Sequence, residues 1–456
     1  MNRRIFLSTF ALLFSVSTSS PATEIRNVLF LVSDDLKASV LGCYGDPVCK
    51  TPNIDALAKS GMLFERAYCQ GTVCRPSRTS FMRSRYRDKG NLTLGEHLQK
   101  HDFYSARVGK IFHMRVPGDI IPGTNGEDVP ECWTERFNMT GREAHTPGEY
   151  ACLNLNIFTD ELEGRQSTRM PHRMFVTVQY DGDGSDQPDH KAATKAIELL
   201  KQRAEKPGER FFLAVGFVRP HYPMVAPRPY FEAYPLGKIE LPENPSGELD
   251  DIPAAGLSGG RSDKNGIGKW PENQRKMWQG YYATVDFMDE QVGRIVAELD
   301  RLGLRESTAI VFTSDHGYHL GEHTMWQKGN LHEEVVRVPL IVSAPGLEGG
   351  QRSKTIVELV DIYPTLCDLA GVPIPAEAEG KSLVSVLKNP KATVKFGARS
   401  FAGAGIGLRT PRWAYMRYKK GEEELYDMDA DPKQFKNLAE DPKQNEVLEK
   451  LRAEVG

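Results

Sequence analysis

The chain has 456 residues, enough for one large core plus a smaller one. Its 40% hydrophobic and 26% charged residues are those of an ordinary globular protein. A formal net charge of −3 gives no global basis for nucleic-acid binding, so an anionic ligand has to be drawn in by a local cationic pocket.

At the amino terminus Arg3-Arg4 precede an apolar run from Ile5 to Val16 and small residues through Ser20-Pro21-Ala22. That run is too short to span a bilayer, and residues 1–22 are expected to be a cleaved signal peptide, not a membrane anchor. Asn2 to Leu7 resembles a twin-arginine export signal, with a Sec signal as the alternative. The expected location is therefore exported, periplasmic or secreted. An exported chain can form disulfides among Cys43, Cys49, Cys69, Cys74, Cys132, Cys152 and Cys367. Cys132 and Cys152, which flank a loop containing Gly and Pro, are the first candidate pair. C-x-x-C zinc patterns are absent.

Asn27 to Val32 is a continuous apolar run, expected of a strand buried on both faces. It ends in Ser33-Asp34-Asp35. Neighbouring residues of a strand point to opposite faces, so both aspartates reach one ion only if the strand stops there and the backbone turns. Helix-capping aspartates are the plainer reading. Thr51 to Ala58 reads as a helix start and leads through Leu63-Phe64 into Gly71-Thr72-Val73-Cys74-Arg75-Pro76-Ser77-Arg78. The arginines around Cys74 are expected to favour its thiolate if the thiol is free.

Leu92 to Leu98 is an expected helix. In Gly109-Lys110-Ile111-Phe112-His113 a helical turn would put Lys110 and His113 on one face. Residues 114–170 read as a long excursion. Phe211 to Phe217 is a second buried strand, running into the extended segment Arg219-Pro220-His221-Tyr222-Pro223. Gln279 to Leu302 has helical periodicity, with Tyr282, Val285, Met288, Val292, Ile295 and Leu299 on one face. Thr308 to Thr313 is a third strand, ending in Ser314-Asp315-His316-Gly317 and followed by His319, Glu322, His323, Trp326 and Lys328. Without a G-x-S-x-G elbow, a serine triad is not supported. Zinc remains one option for an Asp-His site, whereas Asp34, Asp35 and Asp315 together favour a hard cation such as Ca²⁺. Pro339 to Gly346 gives another strand, and Asp361 to Leu366 starts a helix. Beyond residue 390, Arg409 to Tyr418 and Glu424 to Met428 read as a hairpin across Lys420-Gly421.

Cys74-x-Pro76-Ser77-Arg78 resembles the modification signature of the type I sulfatases, in the alkaline phosphatase superfamily. The family usually continues with Leu-Thr-Gly-Arg, where this chain has Met82-Arg83-Ser84-Arg85. The order strand, Asp-Asp, helix, C-x-P-S-R matches the family. Gly109-Lys110-x-Phe112-His113 and Asp315-His316-Gly317 resemble the iduronate-2-sulfatase branch, although the segment before the former is shorter here. Asp431 to Leu438 resembles the closing segment of sulfatases. The resemblance implies an α/β fold with a large mixed sheet sandwiched by helices, and a small C-terminal α+β subdomain with an antiparallel sheet. Residues 23–389 would form the catalytic domain and residues 390–456 the small subdomain.

The resemblance also implies roles. Cys74 would be oxidised to formylglycine by a formylglycine-generating or equivalent maturation enzyme, and its hydrated aldehyde would be the nucleophile. Ca²⁺ would be held by Asp34, Asp35, residue 74, Asp315 and His316, acting as Lewis acid and template. Arg78 would hold the hydrated aldehyde, and Lys110 and Lys328 would compensate charge on the sulfuryl group. His221 would protonate the leaving alcohol, and His113 would deprotonate the second hydroxyl to expel sulfate. The expected substrate is a sulfated saccharide, with a 2-sulfated uronate first and Arg107, Arg219, His319 and His323 as further cations for its carboxylate. A phosphomonoester or phosphonate-ester hydrolase of the same superfamily and a non-catalytic sulfoglycan-binding protein are the alternatives.

Overall fold

The computed structural model describes residues 24–87, 90, 92–165, 172–257 and 260–456; the expected signal peptide lies outside them. Nine strands form the central sheet: β1 (Asn27–Asp34), β2 (Met62–Tyr68), β3 (Phe103–Gly109), β4 (Glu135–Phe137), β5 (Arg210–Pro220), β6 (Thr308–Ser314), β7 (Arg337–Val338), β8 (Leu340–Ser343) and β9 (Gln351–Glu358). Their order is β7-β2-β8-β6-β1-β5-β3-β4, and β9 pairs with β2. The apolar runs legible in the sequence make its centre. β1 lies parallel between β6 and β5, with Leu29 opposite Ile310 and Leu213. β8 runs antiparallel to β6 and β2, so the sheet is mixed.

Every residue of β1 is buried, and its side chains alternate between two apolar layers. Leu29 and Leu31 pack with Leu199 and Leu200 of one helix and Val285, Met288, Val292 and Ile295 of another. Val28, Phe30 and Val32 pack with Phe81, Met82, Tyr363 and Leu366 on the opposite face. The helices that matter below are α1 (Cys74–Arg83), α2 (Pro188–Ala204) and α3 (Pro271–Arg301). The apolar stripe expected from residue 279 onward is buried on α3, which begins eight residues earlier, with Pro271 in its first turn.

After residue 390, β10 (Ala398–Phe401), β11 (Gly405–Arg409), β12 (Trp413–Tyr418) and β13 (Glu423–Asp427) form an antiparallel sheet followed by helix α4 (Asn445–Val455). Leu408, Tyr415 and Leu425 pack on Leu448 and Leu451 of α4, while Ala398, Ala414, Met416 and Tyr426 join the central layer. β10 reaches the cysteine loop. Ser400 Oγ donates to the Cys69 carbonyl at 2.6 Å, Phe401 N to the Gln70 carbonyl at 2.9 Å, and Gly71 bridges to Phe401.

Three expectations are corrected here. All seven cysteines are free thiols. Cys132 and Cys152 belong to separate apolar clusters, the first on the central sheet and the second in a small four-stranded sheet. That small sheet also gives the 114–170 excursion regular structure, with strands at Glu149–Cys152 and Ile157–Thr159. Lys110 and His113 do not share a helical turn: β3 ends at Gly109, whose φ of 73° turns the chain instead.

Candidate active site

The site lies at the carboxyl ends of β1, β5, β6 and β3, where an open α/β sheet binds ligands. β1 stops because Asp35 adopts φ 65°, in the left-handed region that aspartate tolerates. The turn brings both carboxylates to one place, as the sequence required. It is held by Tyr281 of α3, whose hydroxyl donates to the Asp35 carbonyl at 2.6 Å, and by Asp35 N, which donates to Asp315 Oδ1 at 3.2 Å.

Arg78 projects from α1 and is wholly buried. Its Nε donates to Asp315 Oδ2 at 2.8 Å and Nη2 to Asp34 Oδ1 at 3.0 Å; the Ser33, Lys110 and Ile111 carbonyls take its remaining bonds. Lys110 pairs with Asp34 from the end of β3. Two glycines bring that strand end close. A Cβ on Gly109 would lie 2.1 Å from the Gly216 carbonyl oxygen, and one on Gly216 would lie 2.0 Å from that of Lys110.

Cys74 opens α1 and faces this cluster. Its Sγ is 3.3 Å from Lys328 Nζ, 3.3 Å from His316 Nε2 and 4.0 Å from Asp35 Oδ1. Lys328 also pairs with Asp35. His316 donates from Nδ1 to the Gly317 carbonyl at 3.0 Å, which turns Nε2 toward the carboxylates, 3.4 Å from Asp35 Oδ1 and 3.6 Å from Asp315 Oδ2. His221 is fixed the same way by the Tyr222 carbonyl at 2.6 Å, with Nε2 3.8 Å from Asp35 Oδ2. The structure thus brings Asp34, Asp35, Cys74, Arg78, Lys110, His221, Asp315, His316 and Lys328 together. His113 is half-buried beside Lys110 and Asp34, with an unpartnered Nδ1.

Burial acts first on every titration here. It would raise Asp34, but Lys110 and Arg78 overrule it and hold that carboxyl well below its usual range. For Asp35 burial prevails over Lys328 and His316, so its pKa is raised. Burial and then Lys328 push His221 well below its usual value, leaving a neutral imidazole. The Cys74 thiolate expected from neighbouring arginines is not formed: burial and Asp34 push the thiol up. Arg78 is spent on carboxylates, and Arg75 points outward to Glu127.

The donor set can hold a metal ion. Asp34, Asp35, Cys74 and His221 offer ligand atoms all within 4.8 Å of one another, as do Cys74, Asp315 and His316. Asp35 Oδ2 is fully buried with no hydrogen-bond partner, an orphan that a cation would satisfy.

The four extra cations expected for a second anionic group are occupied elsewhere. Arg219 pairs with buried Glu143 at 3.1 Å, and Arg107 with Asp128 at 3.0 Å. His323 is 3.1 Å from Glu248, and His319 Nε2 is 3.2 Å from Asn330 Oδ1. Sequence reasoning missed Tyr281, and also Asp189 of α2, which accepts from Val218 N at 2.7 Å and Arg219 N at 2.9 Å and so fixes the strand end before His221. Only an unexplained polar residue on an otherwise apolar helix face could have marked them.

A family model described as sulfatase matches residues 26–113 and 126–372, and one described as N-sulphoglucosamine sulphohydrolase, C-terminal, matches residues 321–456. Iduronate 2-sulfatase of Homo sapiens is 32% identical over 436 residues, covering 81% of this chain and 74% of that protein. A sulfatase of Formosa agariphila is 30% identical over 459 residues, covering 94% and 85%. In fold, the chain resembles the phosphonate monoester hydrolase of Agrobacterium radiobacter, with TM-score 0.74 at 22% identity and 94% of each chain covered. It also resembles BT4656 in complex with D-glucosamine-2-N,6-O-disulfate, with TM-score 0.72 at 21% identity, covering 94% and 96%. With more than two thirds of its length inside the family model and its polar cluster at the expected strand ends, the chain belongs to the sulfatase family of the alkaline phosphatase superfamily and is a sulfuric ester hydrolase.

Proposed function

We propose that the protein is an exported hydrolase of sulfated saccharides, working through formylglycine at residue 74 and a bound Ca²⁺. The observation that supports this most is the placement of Cys74 Sγ, 3.3 Å from both Lys328 Nζ and His316 Nε2 at the start of a buried helix. Sγ marks where the oxygens of the hydrated aldehyde would lie. Formylglycine would supply a nucleophilic hydroxyl and a second one that lets the sulfated enzyme release its product. Ca²⁺, held by Asp34, Asp35, Asp315, His316 and residue 74, would supply Lewis-acid polarisation of the sulfate.

The remaining work falls to side chains. Arg78 keeps Asp34 and Asp315 apart and aimed. Lys110 and Lys328 flank the position of the sulfuryl group and compensate its charge. Those same cations help keep His221 neutral, so an anion bound between them offsets their field and favours the proton His221 must deliver. His113, pushed down to about 4 chiefly by burial and then Lys110, is a neutral base at ordinary pH.

The first substrate to test is a 2-sulfated uronate, on the likeness to iduronate 2-sulfatase. By position, Arg173 is the candidate partner for its carboxylate: its guanidinium is 5.9 Å from the centre of the Tyr222 ring, which Lys328 overlies at 5.8 Å.

The test is sulfate release by matured, metal-loaded enzyme from 2-sulfated, 6-sulfated and N-sulfated disaccharides, with matched aryl sulfate and phosphate as controls. Mass spectrometry of the residue 74 peptide should show loss of H₂S and gain of O. Release from hexosamine positions alone rejects the uronate. An intact thiol in active protein rejects the mechanism, and a preference for phosphate rejects the sulfatase reading.

A further inference from the structure

Lys328 reaches the site from a hairpin in which His319 pairs with Gln327 and Leu320 with Trp326. Its backbone is unusual. His323, Thr324 and Gln327 hold φ of 54°, 54° and 79°, a region non-glycine residues occupy only when their surroundings over-determine it. Trp278 and Asn244 donate to the Leu320 and Gly321 carbonyls, and within the hairpin's surroundings stand three buried imidazoles, His319, His323 and His332, with ring centres 5.4 to 6.2 Å apart. Two of them are gripped by carboxylates from distant segments. His323 Nδ1 is 3.1 Å from Glu248 Oε2, and His332 Nε2 is 3.0 Å from Glu424 Oε2 of β13. Glu424 is itself held by the hydroxyls of Tyr418 and Tyr426.

We propose that Glu248 and Glu424 are positioning residues for Lys328: through His323 and His332 they clamp the hairpin from two sides and hold its ammonium on Asp35 and against residue 74. The inference rests on the reading of Lys328 as the group that compensates sulfuryl charge. A lysine displaced by about 1 Å from the transferring group would lose up to a hundredfold in rate. The hairpin's own strands are only two residues each, so its position depends on what packs against it.

The charges around the clamp give it a pH signature. His323 faces Glu248 from the loop before α3, Glu322 within the hairpin, Glu334 beyond it, and the rings of His319 and His332. Lys37 pairs with Glu322 and Glu334 from below. Lys433 and the Phe435 ring approach from the C-terminal side. Burial opposes the His323 charge, yet the bond and charge of Glu248, with Glu322 and Glu334, raise its pKa. A raised pKa keeps the charged clamp in place at low pH and releases it as pH rises through that value.

The experiment uses matured, metal-loaded enzyme and a chromogenic aryl sulfate, comparing wild type, Glu248→Gln, Lys328→Ala and the double variant. Glu248→Gln should lower kcat/KM about tenfold, move the alkaline limb of its pH profile to lower pH, and cost nothing more once Lys328 is gone. Losses that multiply in the double variant, or an unmoved alkaline limb, overturn the clamp while leaving Lys328 its role. A Lys328→Ala enzyme as fast as wild type overturns both. Glu424→Gln, run through the same cycle from the other side, decides the question if Glu248→Gln does not fold.

Discussion

Replacing Arg78 by lysine keeps the positive charge between the carboxylates and removes the fork. The guanidinium serves five acceptors: Asp34 Oδ1, Asp315 Oδ2 and the carbonyls of Ser33, Lys110 and Ile111. An ammonium has three donors, so at least two buried acceptors lose their partner, at about 1–3 kcal/mol each. The charge remains, which avoids the further cost of about 3–5 kcal/mol for an uncompensated buried carboxylate. The central expectation is a loss of about 4 kcal/mol. A 456-residue chain unfolds with an entropy of about 1 kcal/mol per kelvin, so this converts to a fall of about 4 °C in Tm. Activity should fall much further, by about a hundredfold, because Asp34 and Asp315 no longer share one rigid bracket. Thermal melts in saturating Ca²⁺ and sulfate release on the same preparation measure both quantities. An Arg78→Lys enzyme with unchanged Tm and unchanged rate would refute the idea that the fork organises the carboxylates.

His113 is expected to make stability rise with pH between about 4 and 6.5: its pKa is depressed in the fold, so the unfolded chain binds more protons across that window. His113→Asn should flatten that segment of a plot of urea midpoint against pH, and an unchanged slope would show that His113 is not the group responsible. Metal analysis should find calcium near one per chain; chelation should lower Tm and abolish turnover, and added Ca²⁺ should restore both. Stoichiometric zinc without calcium would point to the softer, nitrogen-rich half of the site, His221 and His316, as the true ligands.

The centre of the sheet was legible because β1, β5 and β6 are buried on both faces and so read as unbroken apolar runs. β2 was not, because Glu65 and Arg66 interrupt a strand whose ends are buried. The polar site was legible for a related reason: Asp34-Asp35, His221 and Asp315-His316 each follow such a run directly. What could not be read was pairing at a distance. Arg219 looked available until Glu143, 76 positions earlier, was seen beneath it, and His323 until Glu248 was. Ser84 stands where the family pattern has glycine and keeps the left-handed turn at φ 52°, its hydroxyl donating to the Val360 carbonyl at 2.8 Å and accepting from Gly380 N at 3.1 Å. The sequence showed the departure; only the fold shows how it is accommodated.

The contact between β10 and the cysteine loop sets an order of events for a chain made from its amino terminus. The loop that presents residue 74 is fastened at Cys69, Gln70 and Gly71 by Ser400 and Phe401, more than three hundred positions later. Until those residues emerge, the loop lacks this latch and is held only by earlier segments, through Cys69 N to the Val336 carbonyl at 2.9 Å and Val360 N to Gln70 Oε1 at 3.0 Å. On the proposed reading, an enzyme that modifies residue 74 would have its best access while the last part of the chain is still being synthesised or has not docked. In the finished molecule Cys74 retains 4% of its exposure. A chain stopped before residue 398 should leave this loop open to proteolysis, whereas protection equal to the full chain's would mean that the loop closes without its latch.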